Sequence, residues 1–356
     1  MTQPSTLHIP SAVHPGDKVA LLSPAWAAPA YFPEIHEQAK RRIEAELGLV
    51  PVDFPTTTIM GASLAERAAD VNTAFTDPDI RAIFTTVGGD DQIRLTSLLD
   101  SEVVRRDPKP FFGYSDNTNI LNWLWRNGVA SFHGGATQVH LGSGPGIDPI
   151  HLMTLRGALF GDDVVLPTVT ESEDYGLDWS DPRALTDGVL REPAMPVEFI
   201  GTDQIVRGAT WGGCFEVLDQ LAMAGRLPAA GELEGKILLL ETSEIMPPPD
   251  YVGRWIRAFG ERGYLSAAAG LMFAQPVVDD RDAPAPYEVR ESRRLTYLEY
   301  VLSHVGAYRD DLLVVFGVPF GHTRPQAILP YGGEVTLDPQ AGTITAHFTR
   351  SLPSSS

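Results

Sequence analysis

Short apolar runs that end in glycine or serine, each followed by a helical segment, recur through the first half of the chain. They lie at 18–22, 81–86 and 110–112. Strands that alternate with helices in this way form open parallel sheets covered by helices. Ligands bind such sheets at the carboxyl ends of the strands. The pattern therefore predicts an α/β protein whose crevice is bordered by Gly88-Gly89 and Ser115.

Helix signals follow these runs. An amphipathic stretch covers about 33–47, and Ser63-Leu64-Ala65-Glu66 has the spacing of a capping box. In that motif the serine and glutamate side chains each accept a hydrogen bond from the other residue's backbone N–H. The helix is expected to end near Thr76-Asp77-Pro78, since proline does not continue a helix.

The composition changes near residue 166. From there to about 193 the chain is acidic and lacks periodicity, which predicts a linker or mobile loop around Tyr175 and Trp179. We divide the chain into a first domain at 1–165, a linker or substrate loop at 166–194 and a mixed α/β domain at 195–350. Strands of that last domain are expected near 197–200, 236–240, 313–316, 334–337 and 343–348, and helices near 213–224, 251–263 and 290–303.

Charge and cysteine content exclude several classes of protein. The 356 residues carry a net charge of −19, so nucleic acid and anionic membranes would be repelled. The single cysteine, Cys214, allows neither an intrachain disulfide nor a cysteine-built zinc site. No stretch approaches the ~18 apolar residues of a membrane span, and residues 1–6 lack a signal-peptide pattern. We expect a soluble, cytoplasmic protein.

Ser115 lies between an apolar run and an amphipathic helix, in Gly113-Tyr114-Ser115-Asp116-Asn117-Thr118. A serine in a sharp strand-to-helix turn presents its hydroxyl above the sheet, and the next N–H, that of Asp116, faces a developing oxyanion. The alternative is a helix start, because Ser, Asp and Asn are all good N-caps. Both interpretations are open on these residues alone, and Asp116 and Asn117 are expected to start the helix in either case.

Two other polar residues also end apolar runs. Glu241 follows 237–240, and His322 follows 314–321. A serine hydroxyl needs a base, and an imidazole base needs a carboxylate that orients it, so Ser115, His322 and Glu241 supply the parts of a triad. The order Ser, acid, His also occurs in α/β-hydrolases, but Asn117 replaces the glycine of their G-x-S-x-G motif, which argues against that fold.

Several motifs in a fixed order carry a family resemblance. Together they resemble the LD-carboxypeptidase family of serine peptidases, and within it the microcin C immunity branch. The resemblance covers roughly 12–348. Its main motifs are Val87-Gly88-Gly89-Asp90-Asp91, the Ser115 segment, Leu240-Glu241-Thr242-Ser243-Glu244 and Phe320-Gly321-His322-Thr323, with further matches at 14–17, 67–70, 211–213 and 329–332.

The resemblance implies a role for each matched residue. Ser115 is the nucleophile, His322 the general base and acid, and Glu241 the residue that orients His322. The oxyanion hole is expected from the N–H of Asp116 and the Gly88-Gly89 turn, where two glycines permit a positive φ and close approach. The implied fold is a flavodoxin-like parallel-sheet N-terminal domain with a swivelling β/α C-terminal domain. A homodimer without metal or organic cofactor is also implied.

The branch decides the substrate. Gly89-Asp90-Asp91 and the long segment between Ser115 and Glu241 are similar to the microcin branch, so Asp90 and Asp91 are candidate substrate-binding residues. That branch places an aromatic side chain against a nucleobase, and Trp179 is the candidate here, with anchoring of its loop as the alternative. The compact branch removes the terminal D-alanine of murein tetrapeptides and holds a carboxylate with a basic residue. Arg324 and Arg94 are the candidates for that role, or are solvated surface charges.

Other functions have weaker support. His133, His140 and His151 with Asp90 and Asp91 lack the spacing of a metal site, and a hydrogen-bonded crevice histidine explains His133 as well. The glycine-rich 142–146 lacks phosphate-loop spacing and is expected to be a turn. A catalytically silent binding protein with the same cleft is a further alternative. The expected activity is cleavage of an amide in microcin C-like peptidyl or aminoacyl nucleotides, with LD-carboxypeptidase action as the other enzyme candidate.

Overall fold

A computed structural model describes residues 7–349 of the chain. Residues 1–6, on which the expected location partly rests, lie outside the described residues, as do residues 350–356, which include the frayed tail predicted at 351–356. The strands are β1 (Lys18–Leu22), β2 (Val50–Asp53), β3 (Ile80–Thr85), β4 (Phe111–Gly113), β5 (Ser131–His133), β6 (Val164–Val165), β7 (Glu171–Ser172), β8 (Glu192–Pro193), β9 (Glu198–Ile200), β10 (Val206–Cys214), β11 (Ile237–Glu241), β12 (Gly270–Ala274), β13 (Leu313–Val318), β14 (Leu329–Tyr331), β15 (Glu334–Asp338) and β16 (Thr343–Ala346).

The α-helices connect these strands and cover the sheets. Four of them lie within a few residues of the helices predicted near 63–76, 213–224, 251–263 and 290–303, and the helix predicted at 33–47 is an α-helix to Arg42 followed by a π-helical turn, Ile43–Leu47. The α-helices are α1 (Pro33–Arg42), α2 (Leu64–Thr76), α3 (Ser101–Arg106), α4 (Thr118–Arg126), α5 (Pro149–Phe160), α6 (Phe215–Met223), α7 (Pro249–Glu261), α8 (Tyr264–Ala267) and α9 (Tyr287–Gly306). Across residues 7–349, no helix has both the length and the apolar character needed to cross a membrane.

The first sheet has the strand order β14-β5-β4-β3-β1-β2. Strands β1 to β5 are parallel, and their order, 2-1-3-4-5, is that of flavodoxin-like folds. Buried phenylalanines stack across its centre, with 4.8 Å between the ring centroids of Phe84 and Phe112 and 4.9 Å between those of Phe112 and Phe132. The predicted α/β fold with a parallel N-terminal sheet is confirmed.

The second sheet has the order β6-β16-β15-β10-β11-β12-β13-β9. Its central strands β10 to β13 are parallel, whereas β9, β15, β16 and β6 pair antiparallel. The sheets also exchange strands: β14, from the second half of the chain, pairs with β5, and β6, from the first half, pairs with β16. The predicted limits at 165 and 195 therefore do not separate the strands of the two sheets.

The acidic segment 166–194 is held against the body of the protein by buried charges. Asp174 lies 2.7 Å from Arg294, and both side chains are buried. Glu173 lies 3.3 Å from Arg324, and their backbones exchange two hydrogen bonds. Ion pairs this well buried hold a segment in place, because breaking one leaves an uncompensated charge. The segment thus forms one wall of the cleft described below.

The start of α2 allows a direct test of local folding. Ser63 and Glu66 form the predicted capping box: the Glu66 N–H donates to Ser63 Oγ at 3.3 Å, and the Ser63 N–H donates to Glu66 Oε2 at 2.9 Å. Ser63→Ala should lower the free energy of unfolding by about 1 kcal/mol, because a helix N–H loses its partner. Urea denaturation measures the change, with the exposed Ser266→Ala as the control. Equal stability of the two variants would contradict it.

Candidate active site

A cleft of about 320 Å³ opens where the carboxyl ends of both sheets face each other. The first sheet contributes Trp26 after β1, Gly88 after β3 and Ser115 after β4. The second contributes Glu244 after β11 and His322 after β13. Parallel strands end on the same side of a sheet, so residues distant in sequence meet there. The segment 174–179 forms the outer wall.

Ser115 has a φ of 60°, in the left-handed region. Such a conformation is uncommon for a residue other than glycine, and strained residues of this kind cluster at functional sites. It begins a 3-10 turn, Ser115–Asn117, that continues into α4, and neither helical segment has a side-chain cap. Asn117 donates instead to the carbonyls of Tyr114 and Val87. The N-cap interpretation of this motif is therefore wrong, and the Ser115 hydroxyl is available for chemistry.

The turn after β3 approaches Ser115 closely. A Cβ on Gly88 would lie 2.9 Å from Ser115 Oγ and 3.3 Å from the backbone N of Asp116, so glycine alone fits there. A Cβ on Gly89 would lie 2.6 Å from that of Ala25. Neither glycine has a φ in the left-handed region, so the expected positive φ was wrong. Close approach is the reason for both glycines.

Glu241 and His322 form a buried pair. Nδ1 of His322 lies 2.5 Å from Oε2 of Glu241, and the two side chains are 8% and 0% exposed. Gly321 permits this contact: it has a φ of 81°, and a Cβ there would lie 2.6 Å from Glu241 Oε2. The contact fixes the imidazole so that Nε2 is the nitrogen available for other partners.

His133, at the end of β5, is a second imidazole beside the same carboxylate. Its Nε2 lies 3.5 Å from Glu241 Oε1, and both side chains are fully buried. Burial alone would raise the pKa of Glu241, but the charge of His322 and the nearby His133 lower it to about 2. Burial alone would lower the pKa of His322, but the charge and hydrogen bond of Glu241 raise it to about 9. Each of the two groups therefore favours the charged form of the other.

Nε2 of His322 is directed to a residue that sequence reasoning missed. It lies 3.2 Å from Oε2 of Glu244, but without hydrogen-bond geometry. Within residues 7–349, no hydrogen bond joins His322 to Ser115, although both line the cleft. Glu244 lies in the same motif as Glu241, three residues further on, which was the available signal. In this structure the imidazole of His322 faces two carboxylates rather than Ser115.

Aromatic side chains form one end of the cleft. Trp179 lies nearly parallel to Trp26, with 6.4 Å between ring centroids and 16° between ring planes. It meets the ring of Phe32 edge-on at 5.5 Å. Trp26 is 36% exposed and was not predicted, because it lies in a loop with no motif around it. The structure therefore places Trp179 in the cleft wall, and also against the first domain as a loop anchor.

The other predicted residues divide into two groups. Arg324 lines the cleft but is nearly buried and paired with Glu173. Asp91 forms a two-pronged ion pair with Arg67, with both N–O distances 2.8 Å, and Asp90, Asp91 and Arg94 lie outside the cleft lining. The Arg67 guanidinium lowers the pKa of Asp91. Asp91 therefore fixes the turn after β3 instead of facing the cleft.

Asp116 turns its carboxylate into the protein. Its oxygens accept from the N–H of Gln92 at 3.1 Å and from Nδ2 of Asn119 at 2.9 Å. Burial raises the pKa of this carboxyl group to about 6. These contacts hold the turn that follows Ser115, so the predicted contribution of Asp116 to an oxyanion hole falls on its backbone N–H alone.

The three histidines considered as metal ligands do not form a cluster. The rings of His140 and His151 stack at 4.6 Å, whereas His133 faces Glu241. Burial lowers the pKa of both His140 and His151. Over residues 7–349, no three His, Cys, Asp or Glu side chains are grouped so as to hold a metal ion.

The sequence of this chain is similar to those of known peptidases. Residues 19–134 match the N-terminal domain model of the LD-carboxypeptidases, peptidase family S66, and residues 207–337 match the C-terminal domain model. A predicted carboxypeptidase of Vibrio cholerae is 32% identical over 336 residues, which is 91% of this chain and 92% of that protein. The chain belongs to the LD-carboxypeptidase family.

Relatives named for murein peptides and for microcin C are both similar to this chain. A probable murein peptide carboxypeptidase of Bacillus subtilis is 26% identical over 337 residues, 92% of this chain and 91% of that protein. The microcin C7 self-immunity protein MccF of Escherichia coli is 28% identical over 280 residues, 78% of this chain and 76% of MccF. A solved structure of MccF with aspartyl sulfamoyl adenosine has a TM-score of 0.79 at 20% identity, covering 97% of this chain and 99% of that one. This likeness shows that the chain has the two-domain LD-carboxypeptidase fold.

The Glu241–His322 pair predicts how stability changes with pH. A histidine whose pKa is raised by folding stabilises the folded state fully at pH values below 6.5, its ordinary pKa. This stabilisation is lost as the pH rises through about 9, the pKa of His322 in the folded protein. The difference in melting temperature between the native protein and His322→Gln should therefore narrow from pH 6.5 to 9. Thermal melts at several pH values measure it, with the exposed His14→Gln as control. A difference that stays constant or widens would contradict the assignment.

Proposed function

We propose that the protein is a serine hydrolase that cleaves an amide bond in a microcin C-like aminoacyl or peptidyl nucleotide. The physiological role would be detoxification or self-immunity. One observation carries the proposal: Ser115, in a left-handed turn, shares a cleft with His322, whose other nitrogen contacts the buried Glu241 at 2.5 Å. These are the nucleophile, base and orienting acid of a triad.

The chemistry follows from these three side chains. Ser115 Oγ attacks the scissile carbonyl carbon while its proton passes to Nε2 of His322 in its neutral form, and Glu241 stabilises the resulting imidazolium. The negative oxygen is stabilised by the Asp116 N–H and the backbone of the Gly88 turn. His322 then gives the proton to the leaving nitrogen as the C–N bond breaks. A water activated by His322 hydrolyses the acyl-enzyme by the same steps.

The Gly88 turn supports this oxyanion hole through its shape. Because a side chain there would meet both Ser115 Oγ and the Asp116 nitrogen, the space beside these atoms is left to backbone and substrate. Asn117 holds the same turn by accepting from Nε2 of Gln92 at 2.8 Å and donating to the Val87 carbonyl at 3.2 Å. Preorganised donors of this type lower the barrier because they need no rearrangement during the reaction.

The aromatic end of the cleft supports a nucleotide as the leaving group. Trp179 and Trp26 present indole rings beside the site, and an indole face binds a purine by stacking. The structure of MccF, a relative of this chain, has been solved in complex with aspartyl sulfamoyl adenosine, an aminoacyl sulfamoyl nucleoside. A cleft of about 320 Å³ also suits a small conjugate rather than a protein substrate.

A murein L,D-peptide is the second candidate substrate. The observation in its favour is that Arg324 and Arg281 line the cleft, since guanidinium groups bind a free carboxylate through paired hydrogen bonds. Both arginines already face carboxylates, Arg324 beside Glu173 and Arg281 beside Asp178 at 3.0 Å. We therefore favour the nucleotide conjugate, and we rank a silent binding protein last, because ligand binding alone requires no triad.

Removal of the nucleophile tests the mechanism. Ser115→Ala should lower kcat by roughly 10⁶-fold, the loss found when a triad serine is removed. Hydrolysis of an aminoacyl sulfamoyl adenosine and of an L,D-tetrapeptide is followed by mass spectrometry, with Ser97→Ala on the surface as the control. Near-normal turnover by Ser115→Ala would refute serine catalysis. Cleavage of the tetrapeptide alone would favour the murein substrate.

The aromatic wall gives a separate prediction about substrate binding. Trp179→Ala should raise KM for the nucleotide substrate roughly 10-fold with kcat little changed, because stacking acts on the ground and transition states alike. Trp179→Phe should retain most of the affinity, and Trp123→Phe, away from the cleft, serves as the control. An unchanged KM in Trp179→Ala would leave Trp179 as a loop anchor only.

A further inference from the structure

Most charged side chains that line the cleft already have a partner of opposite charge within the protein. These pairs are formed outside the catalytic triad and do not need to open during the reaction. They balance the charge of the cleft wall before any substrate enters. The pairs are Asp174 with Arg294 at 2.7 Å, Arg281 with Asp178 at 3.0 Å, and Arg324 with Glu173 at 3.3 Å.

Glu244 is different from these residues. It lines the cleft with its side chain 71% exposed, and its ion-pair partner in the described part of the chain is Nε2 of His322, at 3.2 Å. The contact lacks hydrogen-bond geometry, and the buried Nε2 has no hydrogen-bond partner among residues 7–349. The carboxylate of Glu244 therefore covers the nitrogen that the proposed mechanism needs.

This contact cannot persist during catalysis. Nε2 must accept the Ser115 proton and then deliver it to the leaving nitrogen, so it cannot remain paired with Glu244. Once His322 turns to Ser115, Glu244 is left as an uncompensated carboxylate at the edge of the reacting centre. A cation supplied by the substrate would restore the balance of charge.

We propose that Glu244 is a specificity residue that binds an ammonium group next to the scissile carbonyl of the substrate. The proposal rests on the function proposed above and narrows its substrate class. Oε2 of Glu244 lies 3.2 Å from Nε2 of His322, the nitrogen that acts at the scissile bond. A cationic group of the substrate that binds Glu244 therefore lies within a few bonds of the scissile carbonyl carbon. The α-ammonium of an aminoacyl group fits this position.

The same geometry disfavours other acyl groups. An acylated α-nitrogen is neutral and leaves Glu244 unpaired, so peptidyl conjugates are poorer substrates than aminoacyl ones. A carboxylate on the α-carbon itself would be repelled. Binding of the ammonium also releases His322 toward Ser115, so correct substrates assemble the triad as they bind.

The test compares two ligands that differ only at the α-nitrogen: an aminoacyl sulfamoyl adenosine and its N-acetyl derivative. Calorimetric binding to Ser115→Ala avoids turnover and separates recognition from catalysis. The free amine should bind roughly 10-fold more tightly or better, as expected for a hydrogen bond between charged groups. Adding Glu244→Gln should abolish this preference, whereas Glu299→Gln, exposed on α9, should keep it.

Kinetics on the intact triad give a second readout. In Glu244→Gln, kcat/KM for the N-acetyl substrate should not fall, and the rise of kcat/KM with pH should move to lower pH, because a negative charge beside His322 is lost. If Glu244 had only a structural role, Glu244→Gln would lower kcat/KM equally for both substrates and would leave the pH profile unchanged.

The outcomes separate this proposal from the general mechanism. An equal preference for the free amine with and without Glu244, or no preference in either protein, overturns the role of Glu244 while leaving serine catalysis intact. If neither ligand binds, both the role of Glu244 and the proposal of a nucleotide substrate are overturned. A Glu244-dependent preference in binding, found even where hydrolysis is absent, supports the role of Glu244 and refutes only the proposed turnover.

Discussion

The buried contact between Glu241 and His322 is the constraint on which the rest of the site depends. Two ionisable groups with almost no exposure to solvent are tolerated together because each neutralises the other. Loss of either partner leaves a buried charge without compensation, at a cost of about 3–5 kcal/mol. The contact also requires a glycine at 321, since any Cβ there would collide with the carboxylate. Charge, packing and backbone conformation are therefore fixed together at the end of two strands.

The position of Ser115 relative to this pair is set by the exchange of strands between the sheets. The chain passes from His322 to β14 in seven residues, and β14 pairs with β5 of the sheet that carries Ser115. Gln326 strengthens this link by donating to the Gly321 carbonyl at 2.6 Å and accepting from the Gly135 N–H at 3.0 Å. The segments that carry Ser115 and His322 are thus joined by a short, hydrogen-bonded connection, which limits how far one sheet can turn against the other.

Local patterns in the sequence were enough to predict the α/β fold, the Ser63 capping box and the position of Ser115, Glu241 and His322 at or just after the ends of strands. Contacts between distant residues were not predictable in the same way. Asp91 was expected to face the substrate, but Arg67, on a neighbouring helix, takes both of its oxygens. Trp26 has no motif around it, and its place opposite Trp179 depends on how segment 174–179 packs. The exchange of β6 and β14 depends on edge pairing, which short apolar runs do not specify.

Several buried polar atoms lie close together around Glu241 and His322. Oε1 of Glu241, both ring nitrogens of His133 and Nε2 of His322 have no hydrogen-bond partner among residues 7–349. Folded proteins pair nearly all such atoms, because an unpaired one costs about 1–3 kcal/mol. Ser115 adds backbone strain at the same place. In the proposed mechanism, Nε2 of His322 exchanges its contact with Glu244 for the Ser115 hydroxyl and then for the leaving nitrogen of the substrate.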